Sequence, residues 1–130
     1  MTYALRHYAT LDVVEITLSG LVTKEDIGQS TGDFVKKQRE TGVMRLLITT
    51  LEGDTDVPAK ELDTLLDRQY RLEEMDRRSR IAVLRPKNAN ARENAAHFEQ
   101  ACRARGWKCR VFDDRQRALD WLTKVRKVRV

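Results

Sequence analysis

Two short stretches of this chain carry the residues best suited to bind or transfer a charged group. The first, residues 52–58, contains Glu52, Asp54 and Asp56 together with the hydroxyl of Thr55. Carboxylates can bind a cation or cap a helix, and a threonine hydroxyl can accept a phosphoryl group. Because the stretch lacks a calcium-loop pattern closed by a later glutamate, we interpret the acids as helix caps rather than metal ligands.

The second stretch begins at Arg85 and ends at Asn90, and it precedes a predicted helix. Two cations, Arg85 and Lys87, stand beside the amide side chains of Asn88 and Asn90. Free backbone N–H groups at a helix N-terminus would join these cations in attracting an anion. The alternative is a solvated basic loop in which Asn90 caps the helix and Glu93 completes a capping box.

No arrangement typical of a catalytic centre is visible in the sequence. His7 and His97 have no serine, cysteine or aspartate at a spacing that indicates a dyad or triad. Cys102 and Cys109 do not form a C-x-x-C pair and are too few for a structural zinc site, so we expect both to be reduced and buried. There is no glycine-rich phosphate loop either. The residues thus indicate no metal or cofactor, and they favour a non-enzymatic role.

Composition fits one domain over residues 1–130, since 41% of the residues are hydrophobic and can form a core of ordinary size. No stretch approaches the ~20 apolar residues of a membrane span. The first residues lack the apolar segment of a secretory signal. We therefore expect a cytoplasmic protein.

The net charge of +5 is distributed unevenly. Residues 1–75 contain 9 Lys and Arg against 14 Asp and Glu, whereas residues 76–130 contain 16 against 6. The basic half could bind an acidic protein, a nucleic acid or an anionic membrane surface, or the acidic half could neutralise it in space. Because aromatic residues are few and no nucleic-acid-binding motif is present, we do not expect specific nucleic-acid binding.

Apolar periodicity predicts five strands. Residues 3–7 and 11–20 alternate as two strands with a short connection, which predicts an antiparallel hairpin ending at Gly20. A run of apolar and β-branched residues predicts a buried central strand at residues 44–51. Two further strands are predicted at residues 81–84 and 107–112.

Capping residues predict four helices. Thr23 begins the first with a capping box, and Gly42 ends it. Pro58 suits the first turn of the second, with Asp54 or Asp56 as its cap. The last two helices are predicted to begin at Asn90 and Asp113, and the fourth continues into a basic tail at residues 124–130. Helix-sized segments between the later strands predict an α/β fold with a single mixed, mostly parallel sheet.

Four segments in this order resemble the SpoIIAA-like family, relatives of the STAS domain of anti-sigma-factor antagonists. They are residues 18–26, 45–51, 80–84 and 110–122. In the last, a strand ending in Val-Phe precedes a helix carrying Ala-Leu-x-Trp-Leu. The resemblance implies a STAS-like sheet with an N-terminal hairpin, and an interaction or regulatory module for a protein partner, with a homodimer as one form to test.

The resemblance also implies a phosphorylatable serine, within Asp-Ser-Ser-Gly, at the start of the helix after the central strand. Here the corresponding residues are Asp54, Thr55 and Asp56, so Thr55 is the hydroxyl that could take this role. A helix N-terminus would attract the phosphate, whereas the two aspartates would repel it.

We therefore expect a non-enzymatic module that binds a protein partner, or a small apolar or anionic ligand, at the carboxyl edge of the sheet, where α/β folds bind ligands. The alternative is a small enzyme or binding protein for an anionic metabolite, with Arg85 and Lys87 holding it.

Overall fold

The computed structural model describes residues 3–55, 57, 59–68 and 75–124. The strands are β1 (Tyr3–Tyr8), β2 (Val13–Val22), β3 (Arg45–Thr55), β4 (Arg80–Leu84) and β5 (Lys108–Phe112). The helices are α1 (Lys24–Thr41), α2 (Ala59–Arg68), α3 (Ala89–Ala104) and α4 (Arg115–Thr123).

The five strands form one sheet in chain order, β1-β2-β3-β4-β5. The β1 strand is antiparallel to β2, and the other neighbouring pairs are parallel. A helix therefore connects each parallel pair, because a parallel connection must return along the whole strand. This confirms the predicted mixed, mostly parallel α/β sheet with an N-terminal hairpin.

Alternate strand residues face opposite layers of helices. Helices α1, α2 and α3 pack on one face, where Phe34, Leu66 and Cys102 belong to one hydrophobic cluster with strand residues such as Ile16 and Leu46. The opposite face carries α4, whose Ala118 and Leu122 pack on Val13, Leu47 and Ala82. Three helices thus share one side of the sheet among the described residues, and one lies on the other.

The end of β2 differs from the prediction. The strand does not stop at Gly20. An irregularity between Leu18 and Gly20 shifts the register, and pairing with β3 then resumes and continues to Val22. Gly20 has φ +70°, a conformation that glycine adopts without a steric penalty. With β2 prolonged, β3 has a partner as far as Thr55. Residues 52–55, predicted as a loop, are therefore part of a strand.

The predicted boundaries of α1 are confirmed. Thr23 and Asp26 form a complete capping box, and Gly42 ends the helix at φ +76° with its N–H donating to the Gln38 carbonyl oxygen at 2.7 Å. The cap of α2 is untested: Asp54 lies within β3, whereas Asp56 and Pro58 lie outside the described residues.

Two other caps are shifted by one or two residues. Asn88, rather than Asn90, caps α3, because its side-chain oxygen accepts from the N–H groups of Asn90 and Ala91. Asp114, rather than Asp113, caps α4 by accepting from the N–H of Arg117. The basic tail after Lys124 lies outside the described residues.

Substituting Gly42 tests the left-handed end of α1. Gly42→Ala should lower the free energy of unfolding by about 1 kcal/mol, because a side chain disfavours this backbone conformation although nothing lies within 4 Å of the added carbon. Gly42→Asn should lose less, since asparagine tolerates the same conformation. Denaturant unfolding measures both values, and equal losses would contradict the explanation.

Candidate functional site

A half-open cavity of about 80 Å³ lies at the carboxyl end of the sheet, beneath α1, α2 and α3. Its strand residues are Leu18, Val22, Ile48, Thr50 and Val83. Its helix residues are Ile27, Leu62, Ala91, Asn94, Ala95 and Phe98, and Pro86 completes the lining. Apart from Thr50 and Asn94, these side chains are apolar.

Small side chains on α3 explain why this space is not filled. The helix presents Ala91 and Ala95 to the sheet, one turn apart on the same face. A larger side chain at either position would occupy the gap between the helix and the strands. Because protein interiors are normally close-packed, an open apolar space of this size is unusual.

Asn94, one of the two polar residues that line the cavity, holds part of its rim in place. The Asn94 side-chain amide donates to the carbonyl oxygen of Val57 at 2.7 Å. Val57 is buried and lies in the chain between β3 and α2. The hydrogen bond therefore ties that connection to α3 beside the cavity.

The structure separates the residues of the predicted basic stretch. Arg85 donates its backbone N–H to Phe112, and its guanidinium pairs with Asp113 at 2.5 Å, so its charge is neutralised at the β5–α4 junction. Pro86 lines the cavity, and Lys87, the next residue in the chain, is exposed. The side-chain oxygen of Asn88 accepts hydrogen bonds from the N–H groups of Asn90 and Ala91. The predicted anion site would have used these two donors. Arg85, Lys87, Asn88 and Asn90 remain a predicted site.

The acidic stretch lies farther along the sheet. Asp54 and Thr55 pair with Leu21 and Val22 in the last part of β3. Ile48 is level with Val83, the second-last residue of β4, so β3 continues six residues, or roughly 20 Å, past the end of β4. Both stretches lie toward the carboxyl edge, but they are displaced along the strand direction. Asp56 lies outside the described residues, and the phosphorylation of Thr55 stays a prediction.

A family model described as SpoIIAA-like matches residues 13–123. The chain belongs to the SpoIIAA-like family. The match begins with β2 and ends with α4, so it includes all the described strands and helices except β1. Comparisons with curated proteins and with solved structures found no match.

A buried polar cluster that was not predicted from the sequence lies under α4 of the SpoIIAA-like sheet. The Glu15 side chain is only 6% exposed, and Arg115 donates to its two oxygens at 2.6 and 2.8 Å. The hydroxyls of Tyr8 and Thr49 donate to the same carboxylate at 2.8 and 2.6 Å. A glutamate flanked by Val13, Val14 and Ile16 in a predicted strand was the signal that could have indicated it.

The hydrogen bonds determine the charge of this cluster. Burial alone would raise the pKa of Glu15, but donation from Arg115, Thr49 and Tyr8 outweighs it and lowers the pKa to about 2. The hydrogen bond to Glu15 in turn raises the pKa of Arg115. Each carboxylate oxygen already accepts two hydrogen bonds. The cluster therefore attaches α4 to the sheet and has no acceptor position left for a substrate.

The two cysteines are free and buried, as predicted. Cys109 lies beside Cys102, and the hydrogen bond between them together with burial raises the pKa of the Cys109 thiol. A buried thiol of raised pKa is a poor nucleophile. These residues therefore contribute to the core rather than to chemistry.

Within the described ranges, no three His, Cys, Asp or Glu side chains are grouped so that they could hold a metal ion. None of the described helices is long and apolar enough to cross a membrane.

Acid titration tests the cluster. The folded pKa of about 2 lies below the ~4.3 of an unfolded glutamate, so Glu15 stabilises the fold fully above pH ~4.3 and loses this contribution as the pH falls through 2. The difference corresponds to roughly 3 kcal/mol. Glu15→Gln should lose about this much at neutral pH and show a flatter unfolding free energy between pH ~5 and ~2.

The exposed Glu40 provides the matched control, since Glu40→Gln removes the same charge without disturbing a buried pair. Its unfolding free energy should follow the wild-type pH dependence. An identical pH profile for Glu15→Gln and the wild type would refute the assignment.

Proposed function

We propose that this SpoIIAA-like protein is a non-enzymatic interaction module whose cavity at the carboxyl end of the sheet binds an apolar group. That group belongs either to a small ligand or to a side chain of a protein partner. The observation that carries the proposal is an open, apolar cavity formed jointly by β2, β3, β4 and all three helices of one face. A concave apolar site with few polar groups is the usual form of a ligand site.

The size of the cavity limits the ligand. Its volume of about 80 Å³ is roughly half that of an engineered apolar cavity that binds benzene, about 150 Å³. The cavity can therefore hold the end of a longer alkyl chain, whose remaining carbons lie in the open mouth, or one branched aliphatic side chain. Each buried methylene contributes about 0.8 kcal/mol, so three of them supply only about 2.4 kcal/mol. A useful affinity thus requires further contacts at the rim.

The rim suits an anionic end group. Pro86 lines the cavity, and the next residue, Lys87, is exposed and has no ion pair with a described carboxylate. A ligand with an apolar chain and a carboxylate could place the chain against Phe98 and the charge near Lys87. Arg85 contributes less, because Asp113 already neutralises it.

The lining supports binding rather than catalysis. General acid–base or nucleophilic catalysis needs a titratable or activated group beside the substrate. None of the described lining residues is titratable, and their polar members are Thr50 and Asn94. The alternative, an enzyme acting on an anionic metabolite, has correspondingly less support.

Filling the cavity tests the proposal with octanoate as the probe. Ala95→Leu adds three carbon atoms to the cavity wall and should weaken octanoate binding about tenfold or more, because the chain loses the space in which it is buried. Ala4→Leu adds the same atoms at an exposed position of β1 and should leave the affinity unchanged. Isothermal titration calorimetry measures both, and equal affinities for Ala95→Leu and the wild type would refute the site.

A second substitution tests the anionic end of the ligand. Lys87→Glu should weaken octanoate severalfold at low salt, because the carboxylate would face a like charge. It should leave octanol binding unchanged, since the alcohol carries no charge. Equal effects on both ligands would show that Lys87 acts on the cavity itself rather than on the charge.

A further inference from the structure

Three cations form a row across the sheet at its amino end, opposite the cavity. Arg45, Arg80 and Lys108 are the first residues of β3, β4 and β5, and Arg80 is the register partner of both others. Register partners on parallel strands present their side chains to the same face. The Arg80 guanidinium lies 4.6 Å from the ring centroid of Trp121, so this is the face that carries α4. We name these three residues the basic row.

The charge of the basic row is not neutralised within the described residues. No described carboxylate forms an ion pair with Arg45, Arg80 or Lys108, nor with Arg110, two residues farther along β5. Like charges directly opposite one another on neighbouring strands destabilise a sheet. An anionic partner would remove this repulsion. Binding such a partner would therefore be favourable at the basic row.

Two of the cations are held in place. Arg45 donates to the Leu11 carbonyl oxygen at 2.8 Å, and Arg80 is stacked against Trp121. The Nε atom of Arg80 is buried and has no hydrogen-bond acceptor among the described residues. Guanidinium groups fixed in this way lose less entropy on binding a carboxylate than mobile side chains do.

The spacing of the row identifies the partner. Neighbouring strands are about 4.8 Å apart, so the three cations extend over roughly 10 Å. Residues three or four apart on a helix are about 5–6 Å apart. A helix lying across the strands, with acidic residues at i, i+4 and i+7, would bring one carboxylate to each cation. We propose that the basic row binds an acidic helix of a protein partner.

Other anionic partners fit less well. Proteins with strongly salt-dependent affinity for DNA contact about six to ten phosphates, and the basic row with Arg110 offers four cations. The nearby rings of Trp121 and Phe112 already stack with Arg80 and Arg110, so they are poor platforms for bases. A fluid membrane surface would not select a fixed linear spacing of charges.

A labelled helical peptide with glutamates at i, i+4 and i+7 is the probe, measured by fluorescence anisotropy. Arg45→Gln/Lys108→Gln should weaken its binding about tenfold at low salt, because two of three charge contacts are lost. Lys36→Gln/Arg92→Gln removes one lysine and one arginine from exposed helix positions and should change the affinity less than about twofold. If the double variant is unstable, Lys108→Glu alone provides the same test, because Lys108 is exposed. This single substitution should also weaken binding of the peptide.

A second peptide of identical composition, with its glutamates placed on different helix faces, should bind at least severalfold more weakly. Equal binding of the two peptides, or equal losses in the row variant and its control, would overturn the proposal. Tighter binding of a single-stranded oligothymidine or of anionic phospholipid vesicles, with the same dependence on Arg45 and Lys108, would also overturn it in favour of that partner class. Octanoate affinity should not change in the row variant, so this test is independent of the cavity.

Discussion

The ion pair between Glu15 and Arg115 fixes the position of α4 on its face of the sheet. A carboxylate buried in a sheet is unfavourable by several kcal/mol unless donors surround it, and Arg115, Tyr8 and Thr49 supply them. Because Arg115 is the first residue of α4 and Glu15 lies in β2, the pair sets where the helix begins above the sheet. The apolar contacts of Leu122 follow from that starting point. So does the stacking of Trp121 on Arg80, which positions the middle of the basic row.

The two faces of the sheet use their residues differently. On the three-helix face, Ala91 and Ala95 let α3 approach closely without filling the space at the carboxyl end, which leaves the apolar cavity. On the α4 face, a single helix leaves polar and charged strand residues at the amino end. Parallel strands make this division sharp, because every parallel strand begins at one edge and ends at the other. The amino ends of β3, β4 and β5 therefore carry the basic row, and the carboxyl end of the sheet carries the apolar cavity.

The elements were predictable because their signals are local. Caps and apolar periodicity need only a few neighbouring residues, so Thr23, Gly42 and the order of strands and helices followed from the sequence. The length of β3 did not, since it depends on whether β2 resumes after Gly20, some thirty residues earlier. Asp114 caps α4, whereas Asp113 pairs with Arg85, the residue that follows β4. In both cases the prediction failed where residues far apart in the sequence pair with each other.

The sites were less predictable than the fold for the same reason. A cavity consists of space left between side chains from several elements, and no single segment encodes it. Arg115 is the partner of Glu15 across a hundred residues, and the basic row exists only once the register of three strands is known. The SpoIIAA-like family match defines the scaffold, whereas these non-local contacts define what it can bind.

The cavity and the basic row share two strands, which determines how they can influence each other. Arg45 and Ile48 lie three residues, or about 10 Å, apart on β3, and Arg80 and Val83 are spaced likewise on β4, on opposite faces of the sheet. Coupling between two sites requires a part of the structure that differs between the two bound states. Strands paired on both sides offer no such alternative arrangement. An apolar ligand and an acidic helix should therefore bind additively unless α4, the one described helix on the face of the row, changes its position.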